Sequence, residues 1–497
     1  MLTLTNYINF GLKSGRILKK KFITNAALLV ILNFVIKAIW MLGIDRTVQN
    51  IVGAEEYGLY FSLLSLSILL NILLDAGITS YNNREIARDH SLLDSNASRI
   101  IPLKISLSFV YAIVVFSIGF FLNYSARQFS MLSMLVVNQF LLSFILYLRS
   151  NISGLHLFRT DALMSVADRF FVIIICSVLI WGNVTKKDFQ IEWLVYSQTA
   201  AYLISAIIVL ILVLKKTGDI KLHFGIKNGI SILKESYPFA ILILLMSFFN
   251  RFDSVLLERM LEDGKFQAGI YAQSYRILDA VNMYAFLLAG MLLPIFSRMI
   301  RFNQKTGEMI KLSYSLVFVP AITLVAIAWF YNYPIIDLLY DEEIAYSSGV
   351  FKILISGYIF ISSSYIFGTL LTANRSLKQL NTLAAVTVFI NLSLNLLLIP
   401  AYKAKGAAMA SISSQAFYAI SQIIISKNIL DIRFNIQFLV KLFFFVILVF
   451  GFTWMSKMFI SSWGIGFFAA LFASLFIAAL LKIITPRGIY RILKYDE

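Results

Sequence analysis

Runs of about twenty mostly apolar residues, the length a helix needs to cross a bilayer, recur along the whole chain with only short polar gaps. Hydropathy and turn signals place them near 22–44, 57–78, 102–122, 129–148, 162–182, 192–214, 236–258, 269–297, 311–332, 348–372, 380–400, 406–426, 437–456 and 462–484, fourteen in all. Of the 497 residues, 59% are hydrophobic and 14% charged, and the mean hydropathy is +0.81, far from the values of soluble domains. These features predict an all-α polytopic membrane protein with no room for a sizeable soluble domain.

A net charge of +17 would suit nucleic acid, but the distribution of the charge follows the membrane instead. With the N-terminus inside, the inner segments carry thirty Lys and Arg residues, among them Lys13, Arg16, Lys19, Lys20, Lys21, Arg84, Arg88, Arg99, Lys104, Lys215 and Lys216. The outer segments carry nine: Arg46, Arg127, Lys186, Lys187, Arg259, Lys265, Lys403, Lys405 and Lys457. The positive-inside rule therefore places both termini in the cytoplasm. No A-x-A-like cleavage site follows the basic N-terminal segment, so it does not read as a signal peptide. The outer loops are too short for a periplasmic catalytic domain.

Chemistry-bearing motifs are sparse. Cys176 is the single cysteine and lies in an apolar run, while His90, His156 and His223 are isolated in polar segments and read as solvated loop residues. The sequence thus predicts no metal site and no cofactor. No G-x-x-x-x-G-K-[ST] occurs, which argues against direct use of ATP.

Two halves of the chain resemble each other. "GAEEYGLYFSLLSL" (53–66) aligns with "EDGKFQAGIYAQSYRI" (262–277), pairing Gly58 with Gly269 at an offset of 211, and "NNREIAR" (82–88) aligns with "FSRMIRF" (296–302). Six spans separate the copies, an even number, which predicts two parallel six-helix bundles around a central cleft, with two further helices at the C-terminus. The expected divisions are a cytoplasmic segment 1–21, an N-lobe 22–214, a cytoplasmic linker 215–235, a C-lobe 236–426, and the last two spans with a cytoplasmic tail over 427–497.

"LGIDRTVQNIVGAEEYGLYFSLLSL" followed by "NNREIAR" resembles the N-terminal pattern of bacterial polysaccharide-transport flippases, within the multidrug/oligosaccharidyl-lipid/polysaccharide exporter superfamily. "LLTANRSLKQLNTLAAVTVFINLSLNLLLIPAYKAKGAAMASISSQ" (370–415) is similar to that family's stretch in which an Asn-rich span ends at Ile-Pro and a Gly-Ala-Ala run opens the next helix. Two outer loops depart from the family pattern. "LLYDEEIAYS" lacks the usual glycine before its acidic residue, and Tyr402-Lys403 stands where Tyr-Gly is common.

The resemblance implies a transporter, not an enzyme, of the bacterial inner membrane. Its cargo would be an undecaprenyl-pyrophosphate-linked oligosaccharide repeat of an O-antigen, capsule or other surface polymer, moved from the inner to the outer leaflet by alternating access. Its partners would be that lipid-linked oligosaccharide, membrane lipids, a driving H⁺ or Na⁺, and the polysaccharide polymerase machinery. Two other readings stand beside it: an integral-membrane polymerase or glycosyltransferase, and a small-molecule or drug exporter of the same superfamily. The first would need a loop with paired catalytic acids or bases, and the second a cleft suited to cations.

Charges inside the spans mark the candidate site, because a charge at a helix centre costs about 2.5–3.5 kcal/mol on insertion scales. Lys37, Arg251 and Arg276 are candidates to bind the pyrophosphate, arginine as a fork and lysine as a point charge. Asp253 and Asp279 are candidates for ion coupling, since a carboxylate can change charge or ligate a cation. Arg251 and Asp253, two residues apart on a helix, point to nearly opposite sides. The alternative is an i,i+3 structural pair of Arg276 and Asp279, with Arg251 and Lys37 snorkelling outward. Asp75 and Lys352 lie near span ends and read as structural. Of the intramembrane asparagines Asn25, Asn33, Asn71, Asn138, Asn250, Asn391 and Asn395, only Asn250, beside the charged pair, joins the candidate substrate-binding residues, the others reading as interhelical hydrogen-bonding groups.

Overall fold

A computed structural model describes residues 32–182, 188–218, 226–304, 306–432 and 435–483, with side chains from 240 onward in the third segment. The expected N-terminal segment, Asn25, Lys186, Lys187 and the basic C-terminal tail lie outside these residues. Every described element is helical. Eleven helices are long and apolar enough to cross a membrane, or twelve when the bent pair Leu32–Leu69 and Asn71–Arg88 counts as one span. The expected fourteen are compatible with this, because two of the helices carry internal breaks at Gly53 and Lys403.

The described residues divide into two compact units, one within Met1–Ile51 and Ser67–Ala240, the other within Val52–Leu66 and Ile241–Glu497. In the first unit, α1 (Leu32–Leu69) contains a π-helical stretch at Trp40–Asp45. After its end come a 3₁₀ turn at Asn71–Leu74 and left-handed Ala76 and Gly77. Helices α2 (Ile78–Arg88), α3 (Leu93–Phe121), α4 (Ala126–Gly154), α5 (Phe158–Trp181) and α6 (Ile191–Leu214) follow. α4 opens on a capping box in which the Ser125 N–H donates to Gln128 Oε1 at 2.9 Å. Ile78, Ile100, Tyr147, Leu148, Ile152, Val209 and Val213 form its core between α2, α3, α4 and α6.

Lys104 departs from the sequence reading. Counted there as an inner-segment cation, it is buried within α3 at 1% exposure. Its ammonium donates to the Asp75 carboxylate, to Leu74 O at 3.1 Å and to Ser143 Oγ at 2.9 Å. All three ammonium protons are used where the chain turns from α1 into α2, so Lys104 and Asp75 brace the turn. A buried lysine with its carboxylate removed is left uncompensated, at about 3–5 kcal/mol. Asp75→Ala is therefore expected to lower membrane abundance severalfold, read by immunoblot, whereas the double variant Asp75→Asn with Lys104→Met recovers most of it.

The second unit contains α7 (Ile226–Met260), α8 (Gly264–Arg301), α9 (Gly307–Leu339), α10 (Ile344–Ser356), α11 (Tyr358–Ala373), α12 (Leu377–Leu430), α13 (Ile436–Phe459) and α14 (Trp463–Leu480). α7 begins inside the stretch expected to be a linker. α9 kinks at Tyr331, where Pro334 prevents a regular turn from continuing. α13 and α14 pack on α9 through Phe318, Ile322, Phe445, Val449 and Ala478. A hydrogen-bonded trio of Tyr331, Ser456 and the Gly466 carbonyl reinforces that contact.

The Val52–Leu66 part of α1 belongs to this unit, and its packing reproduces the internal repeat. α1 breaks at Gly53 (φ 81°), a conformation open to glycine, and Glu342 Oε2 accepts the freed N–H of Ala54 at 2.7 Å. One turn later, a Cβ on Gly58 would run into the Lys265 carbonyl, and a Cβ on Gly269 would run into the Ala54 carbonyl. Ala54 and Lys265, like Gly58 and Gly269, are 211 residues apart, so the contact is reciprocal, as a pseudo-two-fold crossing requires.

Both family departures have structural consequences. Glu343, with no glycine before the acidic pair, takes φ 47°, and Lys403, in the usual glycine position, takes φ 52°, ψ −130°. Lys403 Nζ bonds Asp263 Oδ2 at 2.8 Å. Partial burial alone would raise the Asp263 carboxyl, but hydrogen bonds from Lys403 and Gln267 hold it below its usual range. The pair is exposed and worth little, while the backbone conformation favours glycine. Lys403→Gly is therefore expected to raise the melting temperature by about 2 °C, and a drop of that size would show that the ion pair outweighs the strain.

Candidate functional site

Arg251 and Asp253, expected on nearly opposite sides of α7, both reach side chains of α8 one turn apart, Tyr275 and Tyr271. Asp253 is 1% exposed. Its Oδ2 accepts from the Tyr271 hydroxyl of α8 at 2.9 Å, and its Oδ1 from Asn395 Nδ2 of α12 at 2.7 Å. The same Nδ2 lies 3.0 Å from the Asn391 carbonyl and 3.1 Å from Asn391 Oδ1, and Ser411 stands beside the carboxylate. Among the described residues every partner of this carboxylate is neutral. Asn395 Oδ1 is buried with no donor among the described residues. A carboxylate has about four acceptor sites, so oxygen capacity is left over at a buried position, where an uncompensated charge is costly.

Arg251 reaches the same helix α8 one turn further along, its guanidinium 4.9 Å over the Tyr275 ring. Nη1 is buried and bonds to nothing among the described residues. Arg276 of α8 donates from Nε to the Tyr57 hydroxyl at 2.9 Å and lies 5.3 Å over Phe61. Tyr275 joins the two arginines, with its ring centroid 5.8 Å from Phe61 and 6.0 Å from Tyr271. An aromatic cage of Tyr57, Phe61, Tyr271 and Tyr275 therefore holds Arg251 and Arg276 within the second unit, with Asp253 behind Tyr271.

Asn250 is half-buried next to Arg251, and Asp279 is half-buried one turn beyond Tyr275 on α8. Lys37 is half-buried in α1 within the first unit. Asp75 pairs with Lys104 and Thr79. Lys352 lies 4.4 Å over the Trp329 ring, which agrees with a structural role. Among the described residues no group of three or more His, Cys, Asp or Glu is arranged to hold a metal ion.

Sequence reasoning missed Tyr57, Phe61, Tyr271 and Tyr275, which are four among 43 Phe and 24 Tyr. It set Asn391 and Asn395 aside as interhelical hydrogen-bonding groups. Their i,i+4 spacing, which puts two amides on one helix face, was the available signal.

The fold resembles solved transporters. The lipid II flippase MurJ in its inward closed conformation is 14% identical, with 91% of this chain and 98% of that chain covered at a TM-score of 0.69. A MATE-family multidrug transporter of the MOP superfamily in an inward-facing conformation is 13% identical, with 81% and 98% covered at 0.61. A MOP-superfamily transporter from Pyrococcus furiosus Vc1, described as having a binding pocket of reverse polarity, is 12% identical, with 82% and 95% covered at 0.54. No curated protein matches by sequence. The family of polysaccharide biosynthesis proteins matches residues 20–300, more than half of the chain, and so this multi-pass membrane protein belongs to that family and has the fold of the MOP-superfamily transporters.

Proposed function

We propose that this protein carries an undecaprenyl-pyrophosphate-linked oligosaccharide repeat of a bacterial surface polymer from the inner to the outer leaflet by alternating access, driven by an H⁺ or Na⁺ gradient. The observation that carries the reading is Arg251: a fixed guanidinium held on an aromatic face with a buried Nη1 bonded to nothing among the described residues. A planar fork with a spare donor suits phosphate oxygens. Arg276 adds a second fork. Lys37, a cation within an apolar stretch, is assigned the same role, and Asn250 that of contacting the sugar or diphosphate. These cations disfavour a cationic drug as cargo. Transport rather than catalysis also accords with the family and the fold.

Asp253 is the coupling residue in this reading, with Asp279 as the second candidate. Its carboxylate, the spare Asn395 Oδ1, Asn391 Oδ1 and the Ser411 hydroxyl offer an all-oxygen set that suits a hard cation. Asp253→Asn is expected to retain membrane abundance and lose sodium-dependent stabilisation and gradient-dependent transport. Unchanged gradient dependence would transfer the role to Asp279.

The reading also places the protein in the inner membrane with both termini cytoplasmic, N- and C-lobes over 22–214 and 236–426, and a polymerase outside to consume the cargo. Ser91→Cys is expected to be labelled only after permeabilisation, and Ser461→Cys from outside intact cells. The reverse pattern would overturn the topology. Surface-polymer display with Arg251 variants, argued below, tests the cargo site.

A further inference from the structure

We infer that Tyr271 and Tyr275, one turn apart on α8, are positioning residues that link the ion site to the pyrophosphate site. The inference rests on the reading of Asp253 and Arg251 given above and goes beyond it by naming the element that connects them. The Tyr271 hydroxyl occupies Asp253 Oδ2 at 2.9 Å, and its ring is packed 6.0 Å from Tyr275 at an interplanar angle of 32°. Tyr275 is the platform under Arg251 at 4.9 Å and touches Phe61, which carries Arg276.

A cation bound at Asp253 draws the carboxylate oxygens toward itself and weakens the bond that Oδ2 accepts from Tyr271, which frees the ring to settle in a new arrangement. Its ring is closely packed, and packed aromatic clusters shift between discrete arrangements rather than deform smoothly. The displacement reaches Tyr275 within one helical turn and re-aims the guanidinium of Arg251. Both arginines depend on the same ring or its neighbour, so the two forks move together. Coupling between the sites is then a binding free energy shared through Tyr271 and Tyr275, and it is reciprocal.

The test uses the full-length protein in detergent, with farnesyl pyrophosphate as the probe, titrated in sodium and in choline buffers of equal ionic strength. Sodium binding is followed separately by the sodium-induced rise in melting temperature. In the wild type, sodium is expected to change the probe Kd by about fivefold or more, within the usual range of linkage between coupled sites. Tyr271→Phe keeps the ring and removes the hydroxyl. It is expected to retain the sodium-induced rise and to bring the ratio of the two Kd values close to one. Tyr275→Leu removes the platform and is expected to weaken the probe about tenfold in both buffers, while Gly290→Ala, where a Cβ meets nothing within 4 Å, serves as the folding control and binds as the wild type does.

The linkage is overturned if Tyr271→Phe keeps the wild-type Kd ratio, as it would for a through-space charge effect of the bound cation. It is equally overturned if Tyr271→Phe loses the sodium-induced rise, which would make the hydroxyl a ligand, or if Tyr275→Leu binds the probe as tightly as the wild type and Gly290→Ala do. Failure of the underlying reading looks different: the probe then binds equally well to the wild type and to Arg251→Ala.

Discussion

Arg251→Ala should abolish surface-polymer display while leaving the amount of protein in the membrane unchanged. The guanidinium is held by the Tyr275 ring, and among the described residues its buried Nη1 bonds to nothing. Removing it therefore breaks no hydrogen bond of Nη1 and takes a costly charge out of the bilayer. The cargo, in contrast, loses a bidentate contact. Two charge-assisted hydrogen bonds at about 1.5 kcal/mol each amount to roughly a hundredfold in affinity. Arg251→Lys keeps the charge without the fork and should recover activity only in part, about tenfold below the wild type. Normal display by Arg251→Ala at normal abundance would end the phosphate assignment, and a fall in abundance that matches the loss of display would make Arg251 structural.

The second large effect concerns the reciprocal glycine crossing. Gly269→Leu and Gly58→Leu should each prevent accumulation of folded protein, because a first side-chain carbon already overlaps backbone in the partner helix. No flexible group is there to move aside, so the helices must part and lose the close packing that holds membrane helices together. Gly269→Ala should lower the melting temperature by several degrees, at about 1–3 kcal/mol for overpacking. Gly290 of the same helix α8 is the control, since a Cβ there meets nothing within 4 Å. Gly290→Ala should be neutral or mildly stabilising through helix propensity. Equal behaviour of Gly269→Ala and Gly290→Ala, read by fluorescence-detected size-exclusion thermal shift, would refute the crossing.

Hydropathy made the helices legible because every span must satisfy its backbone internally and face lipid. The two breaks inside long helices were legible too, because Gly53 and Lys403 fall in the polar gaps read between 44 and 57 and between 400 and 406. The repeat was visible in Gly58 and Gly269, where close approach leaves glycine as the fitting residue. For the site, the charges were legible and their partners were not. Arg251 and Asp253 stand out against an apolar background, whereas Tyr271 and Tyr275 are chemically indistinguishable in sequence from interfacial tyrosines. Asn395 does form an interhelical hydrogen bond, as expected of such residues, but the group it bonds is the buried carboxylate, while Asn391 accepts from Asn395 within the same helix. The burial of Lys104 was not legible because a cation near a span end usually snorkels, and its partners Asp75 and Ser143 come from distant parts of the chain.

The most direct measurement is leaflet-resolved labelling of the lipid-linked sugar. Spheroplasts from cells lacking the protein, and from cells expressing the wild type or Arg251→Ala, are treated with a membrane-impermeant reagent that oxidises or tags exposed sugar. In cells lacking the protein, and in those with Arg251→Ala, the lipid-linked repeat should accumulate and stay protected until the membrane is opened. The wild type should restore labelling from outside. Labelling of the repeat from outside to the same extent with and without the protein would contradict the assignment of this chain as its flippase.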